Sequence, residues 1–205
     1  MLDVLTVLAA GFGTGLSLIV AIGAQNTFLL QHGLRGGAVV HLVVICALSD
    51  VVLIVAGVSG VGAVLHRWPA VVGVIALGGG AFLICYGFLA ARRVFRPAFL
   101  QVGAAENTSP RKAVLTCFAL TWLNPHVYLD TLLLLGSVAA GHGDGRWLFG
   151  LGAVLASAVW FSALGFGARR LTGLFARPAS WRVLDVLIAV TMTTLGVTMV
   201  ATQLA

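Results

Sequence analysis

Charged residues are scarce in this chain of 205 residues, because only 9% of its residues are Asp, Glu, Lys or Arg. A water-soluble domain carries about 25% charged residues, since its surface must be hydrated. Hydrophobic residues make up 60% of the chain, and the mean hydropathy is +1.08. The sequence therefore lacks the polar surface of a soluble domain and predicts a protein that is covered by lipid.

Cysteine and metal-binding motifs are also lacking. Cys46, Cys85 and Cys117 each lie within an apolar run and form no CxxC motif, which is typical of small packing residues in helices. The five histidines show no metal-ligand spacing, and the glycine run at 78–80 follows no strand as a phosphate loop would. The sequence thus predicts no metal, no nucleotide or other cofactor, and no catalytic dyad of an enzyme.

Long apolar segments dominate what is present. A transmembrane helix needs about 20 mostly apolar residues. Six segments meet this length, at residues 2–22, 38–65, 70–91, 113–138, 147–168 and 183–202. We predict an all-α polytopic membrane protein of about six transmembrane helices in a single domain, 1–205. A polar linker at about 92–112 separates repeat 1, at about 1–95, from repeat 2, at about 113–205.

The basic residues are distributed unevenly between the two sides of these spans. Ten of the twelve follow the first, third or fifth span, namely Arg35, Arg92, Arg93, Arg96, Arg111, Lys112, Arg169, Arg170, Arg177 and Arg182. Lys and Arg concentrate in cytoplasmic loops of membrane proteins. The pattern places the linker in the cytoplasm and both termini outside, and it explains the net charge of +6 without nucleic-acid binding.

The two halves show signs of an internal repeat. Ser49 in the second span corresponds to Ser157 in the fifth, and Gly87 in the third span corresponds to Gly196 in the sixth, with offsets of 108 and 109 residues. Three spans per half is an odd number, so the second half would lie inverted in the membrane. Inverted repeats are common in transporters.

Helix-breaking segments interrupt the apolar pattern near residues 23–26 and 124–125, at similar places in the two halves. Irregular backbone survives in a membrane only within protein or beside a watery cavity, so paired breaks indicate a transport site. The alternative is a helix kink or cap that binds no ligand. The candidate site residues at the breaks are Gln25, Asn26, Asn124, Pro125 and His126.

Two acidic residues, Asp50 and Asp130, are the ones that we place within strongly apolar spans. A carboxylate at the centre of a membrane costs about 2.5–3.5 kcal/mol on insertion scales, so such a residue indicates function. Each could exchange a proton for a cationic substrate, or it could only form a hydrogen bond between helices. His126 could likewise relay protons or simply stabilise the broken helix.

At the two breaks the sequence resembles the LysE-type basic amino-acid exporter family of bacteria. The resemblance is carried by residues 23–28, with Gly33 and Arg35, and by residues 121–131, which read TWLNPHVYLDT. It covers nearly the whole chain, although Ala24 stands where that branch of the family often has proline. Related exporters of neutral amino acids typically have a proline-rich first motif instead.

The resemblance implies export of L-lysine, L-arginine or close analogues across the bacterial plasma membrane, dependent on the proton gradient or the membrane potential. In our hypothesis the cationic side chain binds Asp50 or Asp130, which also carry the proton, while the two halves alternate access. The amides and freed backbone at the breaks hold the α-amino and α-carboxylate groups. The aromatic side chains expected to shape the pocket are Tyr86 and Trp122.

Several alternatives remain open at this stage. The chain could export neutral amino acids or another small cation or metabolite, or it could be a channel, which would need no proton exchange. An intramembrane enzyme or redox carrier would need a dyad or a cysteine pair, and a metal exporter would need more hard-cation ligands. The many glycines would also allow a homodimer within the lipid.

Overall fold

The computed structural model describes residues 4–20, 23–60, 69–95, 109–171, 173 and 178–204, and this part of the chain is helical without any strand. The prediction of an all-α protein is confirmed for these residues. The longer helices are α1 (Val4–Ile19), α2 (Ala24–Arg35), α3 (Val39–Val58), α4 (Pro69–Phe95), α5 (Pro110–Trp122), α7 (Arg146–Gly167) and α8 (Pro178–Leu204). Between α5 and α7 lies the composite helix α6, which is α-helical at Pro125–Tyr128, π-helical at Leu129–Leu135 and α-helical at Gly136–Ala140.

The candidate spans differ from the six that the hydropathy pattern predicts. Three helical stretches are long and apolar enough to cross a membrane: Val39–Val58, Gly143–Arg170 and Arg182–Ala201. The bent pair α1 and α2 would make a fourth, while the apolar parts of α4 and α6 are shorter, at Leu77–Arg92 and His126–Ala140. Over the described residues the structure thus supports three or four full spans. The break before Pro125 divides the predicted span at 113–138 into α5 and α6, which hydropathy alone does not separate.

The outer faces of the bundle are apolar. On α3 the exposed side chains are Val40, Val44, Leu48, Val52 and Val55, with relative exposures between 45% and 59%. Their spacing of three or four residues places them on one side of the helix. A continuous apolar stripe facing away from the protein interior would be unfavourable in water. It is the surface expected of a helix that faces lipid.

Glycine allows the closest helix contacts. A Cβ atom added to Gly196 of α8 would lie 2.7 Å from the carbonyl oxygen of Gly80 on α4, and one added to Gly11 of α1 would overlap the carbonyl oxygen of Phe149 on α7. Lipid tails are as apolar as the helices, so association in a membrane depends on this close packing. The glycines therefore hold α4 against α8 and α1 against α7.

Two of the cysteines meet although they are 71 residues apart. The Sγ atoms of Cys46 on α3 and Cys117 on α5 are 3.3 Å apart, and both side chains are fully buried. They belong to the main hydrophobic cluster, as the packing interpretation expects. Cys85 on α4 is exposed instead. Sequence spacing could not reveal the Cys46–Cys117 contact, because it depends on how α5 packs against α3.

Most of the predicted linker lies outside the described residues, which cover only its ends at 92–95 and 109–112. The same is true of Arg67 and Trp68, which the predicted topology places on the outer side. At the opposite end of that topology, the guanidinium of Arg92 lies 5.8 Å from the ring centroid of Phe88 at the end of α4. Trp147, at the start of α7, is half-exposed beside Arg146. Arginine and tryptophan at helix ends are typical of membrane interfaces.

Candidate functional site

The first break separates α1 from α2, whose axes differ in direction by 82°. Gly23 adopts an extended conformation immediately before α2, and its carbonyl oxygen accepts a hydrogen bond of 2.8 Å from Oγ1 of Thr27. Nδ2 of Asn26 donates over 2.7 Å to the carbonyl oxygen of Ile19, the last residue of α1. Carbonyls at a helix end have no partner within the helix. Asn26 therefore satisfies one of the backbone groups that the break sets free.

The amide of Asn26 is also fixed from the second half of the chain. Nε1 of Trp160 on α7 donates to Oδ1 of Asn26 over 3.3 Å. The amide thus joins the end of α1, the start of α2 and the middle of α7. An amide whose nitrogen and oxygen are both hydrogen-bonded has a defined orientation, as a binding site requires.

The second break separates α5 from α6 and is satisfied in a similar way. The hydroxyl of Tyr128 donates over 2.6 Å to the carbonyl oxygen of Trp122, the last residue of α5. Oδ1 of Asn124 accepts a hydrogen bond of 3.2 Å from the backbone N–H of His126 in the first turn of α6. Pro125 begins α6, where its missing N–H has no consequence. Side-chain hydrogen bonds therefore order the backbone at both breaks, which distinguishes them from frayed helix ends.

A π-helical segment follows the second break and carries Asp130. π-helical turns are rare and frequently occur at functional sites, because the extra residue widens the helix and redirects side chains. Gly57 of α3 packs against the carbonyl oxygen of Thr131 in this segment. No pattern in the sequence indicated the π-helical segment, because its apolar residues are equally compatible with an α-helix.

A cavity of about 250 Å³ lies between the two breaks. Its walls come from α1, α2, α3, α6, α7 and α8, so both halves of the chain contribute. Apolar side chains such as Leu18, Ile54 and Phe161 form part of the wall. The polar residues that line it are Gln25, Asn26, Asp50, Asn124, His126, Asp130, Thr131 and Thr191. A cavity with a few convergent polar groups is typical of a small-molecule binding site.

Asp50 is the most enclosed acidic group of the cavity. Its side chain is 7% exposed, and Oγ of Ser157 on α7 donates to its Oδ2 over 2.7 Å. Asp130 is only partly buried and lies one turn from His126 on α6. The cavity thus contains two carboxyl groups in different surroundings. In the part of the chain that the structure describes, no group of three or more His, Cys, Asp or Glu residues could hold a metal ion.

Six of the predicted site residues line the cavity together: Gln25, Asn26, Asp50, Asn124, His126 and Asp130. The two aromatic candidates lie elsewhere. The ring of Trp122 stacks on Phe118, and its Nε1 donates over 3.1 Å to Oγ of Ser49. Tyr86 packs against the main hydrophobic cluster, with its ring centroid 6.4 Å from that of Phe82. These two residues support neighbouring helices and do not line the cavity.

The sequence did not predict some residues of the candidate site and its surroundings. Thr131 and Thr191 line the cavity, and Ser157 binds Asp50, but hydroxyl residues are common in transmembrane helices and give no distinct signal. Asp185 is a third buried carboxylate, 9% exposed. Its place near the start of the sixth predicted span could have revealed it. The selection of only two intramembrane acidic residues was therefore wrong.

A polar cavity at two broken helices, inside a bundle with apolar outer surfaces, is the architecture of a multi-pass membrane transporter. Residues 16–203 match the family model of the LysE type translocator. The chain belongs to this family, as its sequence motifs indicate. Members of the family are transporters and not enzymes.

Curated relatives cover most of the chain. A candidate amino-acid transporter of Mycobacterium tuberculosis is 46% identical over 92% of this chain and 94% of its own length. The arginine exporter protein ArgO of Serratia proteamaculans is 40% identical, with 92% and 93% covered. The lysine exporter LysE of Corynebacterium glutamicum is 33% identical, with 91% and 95% covered. No solved structure shows a significant match to the chain.

Proposed function

We propose that this protein exports basic L-amino acids, L-lysine or L-arginine, from the cytoplasm across the plasma membrane in exchange for protons. The observation that carries the proposal is the cavity, which brings Asp50 and Asp130 together with the amides of both helix breaks. The names of the relatives favour the same substrates, since they include lysine and arginine exporters as well as a candidate amino-acid transporter.

The cavity has the chemistry that a basic amino acid requires. Its volume of about 250 Å³ lies just below the range of about 300–1,000 Å³ for sites of drug-sized ligands, so it suits a smaller molecule. A carboxylate can bind the cationic side chain through charge-assisted hydrogen bonds. The amide of Gln25 has a buried Nε2 that lacks a hydrogen-bond partner within the described structure. This donor is available for the α-carboxylate of the substrate.

Two carboxyl groups in the cavity also support the proposed coupling to protons. Moving one positive charge out of a cell against the membrane potential costs about 2.3 kcal/mol per 100 mV. Entry of one proton for each exported cation cancels this cost. Asp50 and Asp130 can carry either a proton or the substrate cation, and a buried carboxyl group should not be left ionised without a partner. We therefore expect each carboxyl group to bind a proton and the substrate cation in turn.

Alternating access would follow from two inverted repeats, and close contacts at glycines support such a repeat. A Cβ atom on Gly136 of α6 would lie 2.7 Å from the carbonyl oxygen of Gly57 on α3. One on Gly33 of α2 would lie 2.6 Å from the carbonyl oxygen of Gly165 on α7. Gly165 follows Gly57 by 108 residues and Gly136 follows Gly33 by 103 residues. The same type of contact thus occurs at corresponding places in the two halves.

The packing of α4 against α8 supports the same symmetry. Gly80 contacts Gly196, and a Cβ atom on Gly87 would lie 3.2 Å from the carbonyl oxygen of Ala189. With the offset of 109 residues, Gly80 corresponds to Ala189 and Gly87 corresponds to Gly196. Exchanging the two halves therefore converts the Gly80–Gly196 contact into the Gly87–Ala189 contact, and the reverse. Transporters with inverted repeats alternate access by rocking one part against another.

The proposal is tested with the purified chain in liposomes. An antiporter is reversible, so an inside-acidic pH gradient should drive accumulation of external radiolabelled L-arginine or L-lysine above the external concentration. Valinomycin with equal K⁺ on both sides holds the membrane potential at zero. We expect a protonophore to abolish accumulation and excess unlabelled L-leucine to leave it unchanged.

Other results would contradict the proposal in distinct ways. Equilibration of the labelled amino acid without accumulation would indicate a channel. Accumulation of L-leucine without that of arginine or lysine would indicate a neutral amino-acid exporter. Liposomes without protein provide the baseline for both measurements.

A further inference from the structure

The two helix breaks present different helix N-termini to the cavity. At the second break Asn124 caps α6, since its Oδ1 accepts a hydrogen bond from the backbone N–H of His126, and Pro125 has no N–H. At the first break no side chain among the described residues caps α2. The first N–H groups of a helix have no acceptor within the helix and carry partial positive charge. The N-terminus of α2 is therefore the one that can accept an anionic group.

A buried amide donor lies at the same N-terminus. Gln25 is in the first turn of α2 and lines the cavity, and its buried Nε2 has no hydrogen-bond partner within the described structure. The amide of the neighbouring Asn26 is engaged at both ends, because Nδ2 donates to Ile19 and Oδ1 accepts from Trp160. Leaving a buried donor without an acceptor is costly. An oxygen atom supplied by a ligand in the cavity would satisfy the amide of Gln25.

Acidic groups lie on other helices of the same cavity. Asp50 on α3 and Asp130 on α6 line it together with residues 23–26 at the start of α2. Carboxylates bind ammonium and guanidinium groups through charge-assisted hydrogen bonds. A basic amino acid carries a negative α-carboxylate and a positive side-chain group at opposite ends of an aliphatic chain. The donors of α2 and the carboxylates of α3 and α6 are complementary to these two ends.

We propose that Gln25 and the first turn of α2 form the subsite for the α-carboxylate, and that this subsite restricts the substrate to amino acids with a free α-carboxylate. The carboxylate accepts hydrogen bonds from Nε2 of Gln25 and from backbone N–H groups at the helix N-terminus, as bound anions commonly do. An amine without the carboxylate leaves the buried donor unpaired and is rejected for that reason. Gln25 is thus a specificity-determining residue. This inference rests on the proposed export of basic amino acids and narrows its substrate class.

The subsite is tested by competition in liposomes that contain the full chain. Uptake of radiolabelled L-arginine is inhibited by unlabelled L-arginine, by agmatine, which lacks the α-carboxylate, or by L-argininamide, in which this group is an uncharged amide. We expect the inhibition constants of agmatine and argininamide to exceed that of arginine at least about tenfold. Equal inhibition by arginine and agmatine would overturn the proposal.

The role of Gln25 is tested with Gln25→Met, which keeps the approximate length of the side chain and removes the amide donor. The measured quantity is the ratio of the inhibition constant of agmatine to that of arginine. We expect this ratio to fall about tenfold, because only arginine loses a hydrogen bond to its carboxylate. Asp144→Asn, at an exposed carboxylate near the start of α7, is the control and should keep the ratio of the unsubstituted chain.

A purely structural role for Gln25 would change the amount of active protein and leave this ratio at its normal value, which would contradict its assignment to the subsite. If the methionine variant does not fold, Gln25→Glu keeps a polar side chain of the same length and should also lower the ratio, since its carboxylate repels that of arginine. Failure of the proposed function is distinguishable, because the unsubstituted chain would then accumulate neither arginine nor lysine in the same liposomes.

Discussion

At the scale of single residues, the surroundings of Asp50 explain how a carboxyl group persists in the interior of a membrane protein. Ser157 donates a hydrogen bond to one carboxyl oxygen, and the cavity lies beside the side chain. The carboxyl group is therefore stabilised by a neutral donor from the other half of the chain. In the proposed mechanism, this carboxyl group exchanges a proton for the substrate cation.

Replacement of Asp50 by asparagine should remove this exchange while preserving the shape of the side chain and its hydrogen bond from Ser157. Loss of one partner in a buried charge pair costs about 2–5 kcal/mol, so the affinity for arginine should fall at least about 30-fold. Export is measured from loaded cells, with the amount of protein in the membrane determined by immunoblot. Asp144→Asn is the matched control. Normal export by the Asp50 variant would refute the carboxylate mechanism.

At the scale of helices, two breaks and a π-helical segment interrupt the apolar runs and place polar residues at the candidate site. The sequence predicted both breaks from local chemistry, since Gly23 and Pro125 interrupt apolar runs beside amide side chains. It did not predict α2 as a separate helix, because its twelve residues are only weakly apolar. The bundle then depends on glycines that allow the backbones of α3 and α6 to approach each other closely.

Gly57→Ala should therefore destabilise the protein. The added methyl group would overlap the carbonyl oxygen of Thr131, and overpacking of this kind costs about 1–3 kcal/mol. Gly78→Ala is the control on α4, where a Cβ atom meets nothing within 4 Å and helix propensity favours alanine by up to about 1 kcal/mol. The temperature at which each variant loses its monodisperse gel-filtration peak in detergent measures the difference. Equal temperatures would show that this glycine is not required for close packing.

At the scale of the whole molecule, the distribution of the basic residues predicts the orientation in the membrane. Arg111 lies in the first turn of α5, on the predicted side with most of the basic residues, and Asp144 lies in the turn before α7, on the opposite side. Both residues are exposed in the structure. They therefore offer one reporter for each side of the membrane.

Single cysteines at these two places should react differently in intact cells. In a variant without native cysteines, Asp144→Cys should be labelled by a membrane-impermeant maleimide, whereas Arg111→Cys should react only after the cells are permeabilised. Labelling after permeabilisation is the internal control for both. The reverse pattern would place the termini in the cytoplasm.

The sequence by itself determined that this protein lies in a membrane, that it belongs among the exporters and that its helices break near residues 23–26 and 124–125. These properties depend on hydropathy, charge and local backbone chemistry, which each segment carries independently. Only the tertiary structure decided which distant residues meet, as in Asp50 with Ser157, Cys46 with Cys117 and Gln31 with Asp185. Such contacts depend on the packing and rotation of helices, which an apolar sequence specifies through many small contacts and through no local pattern.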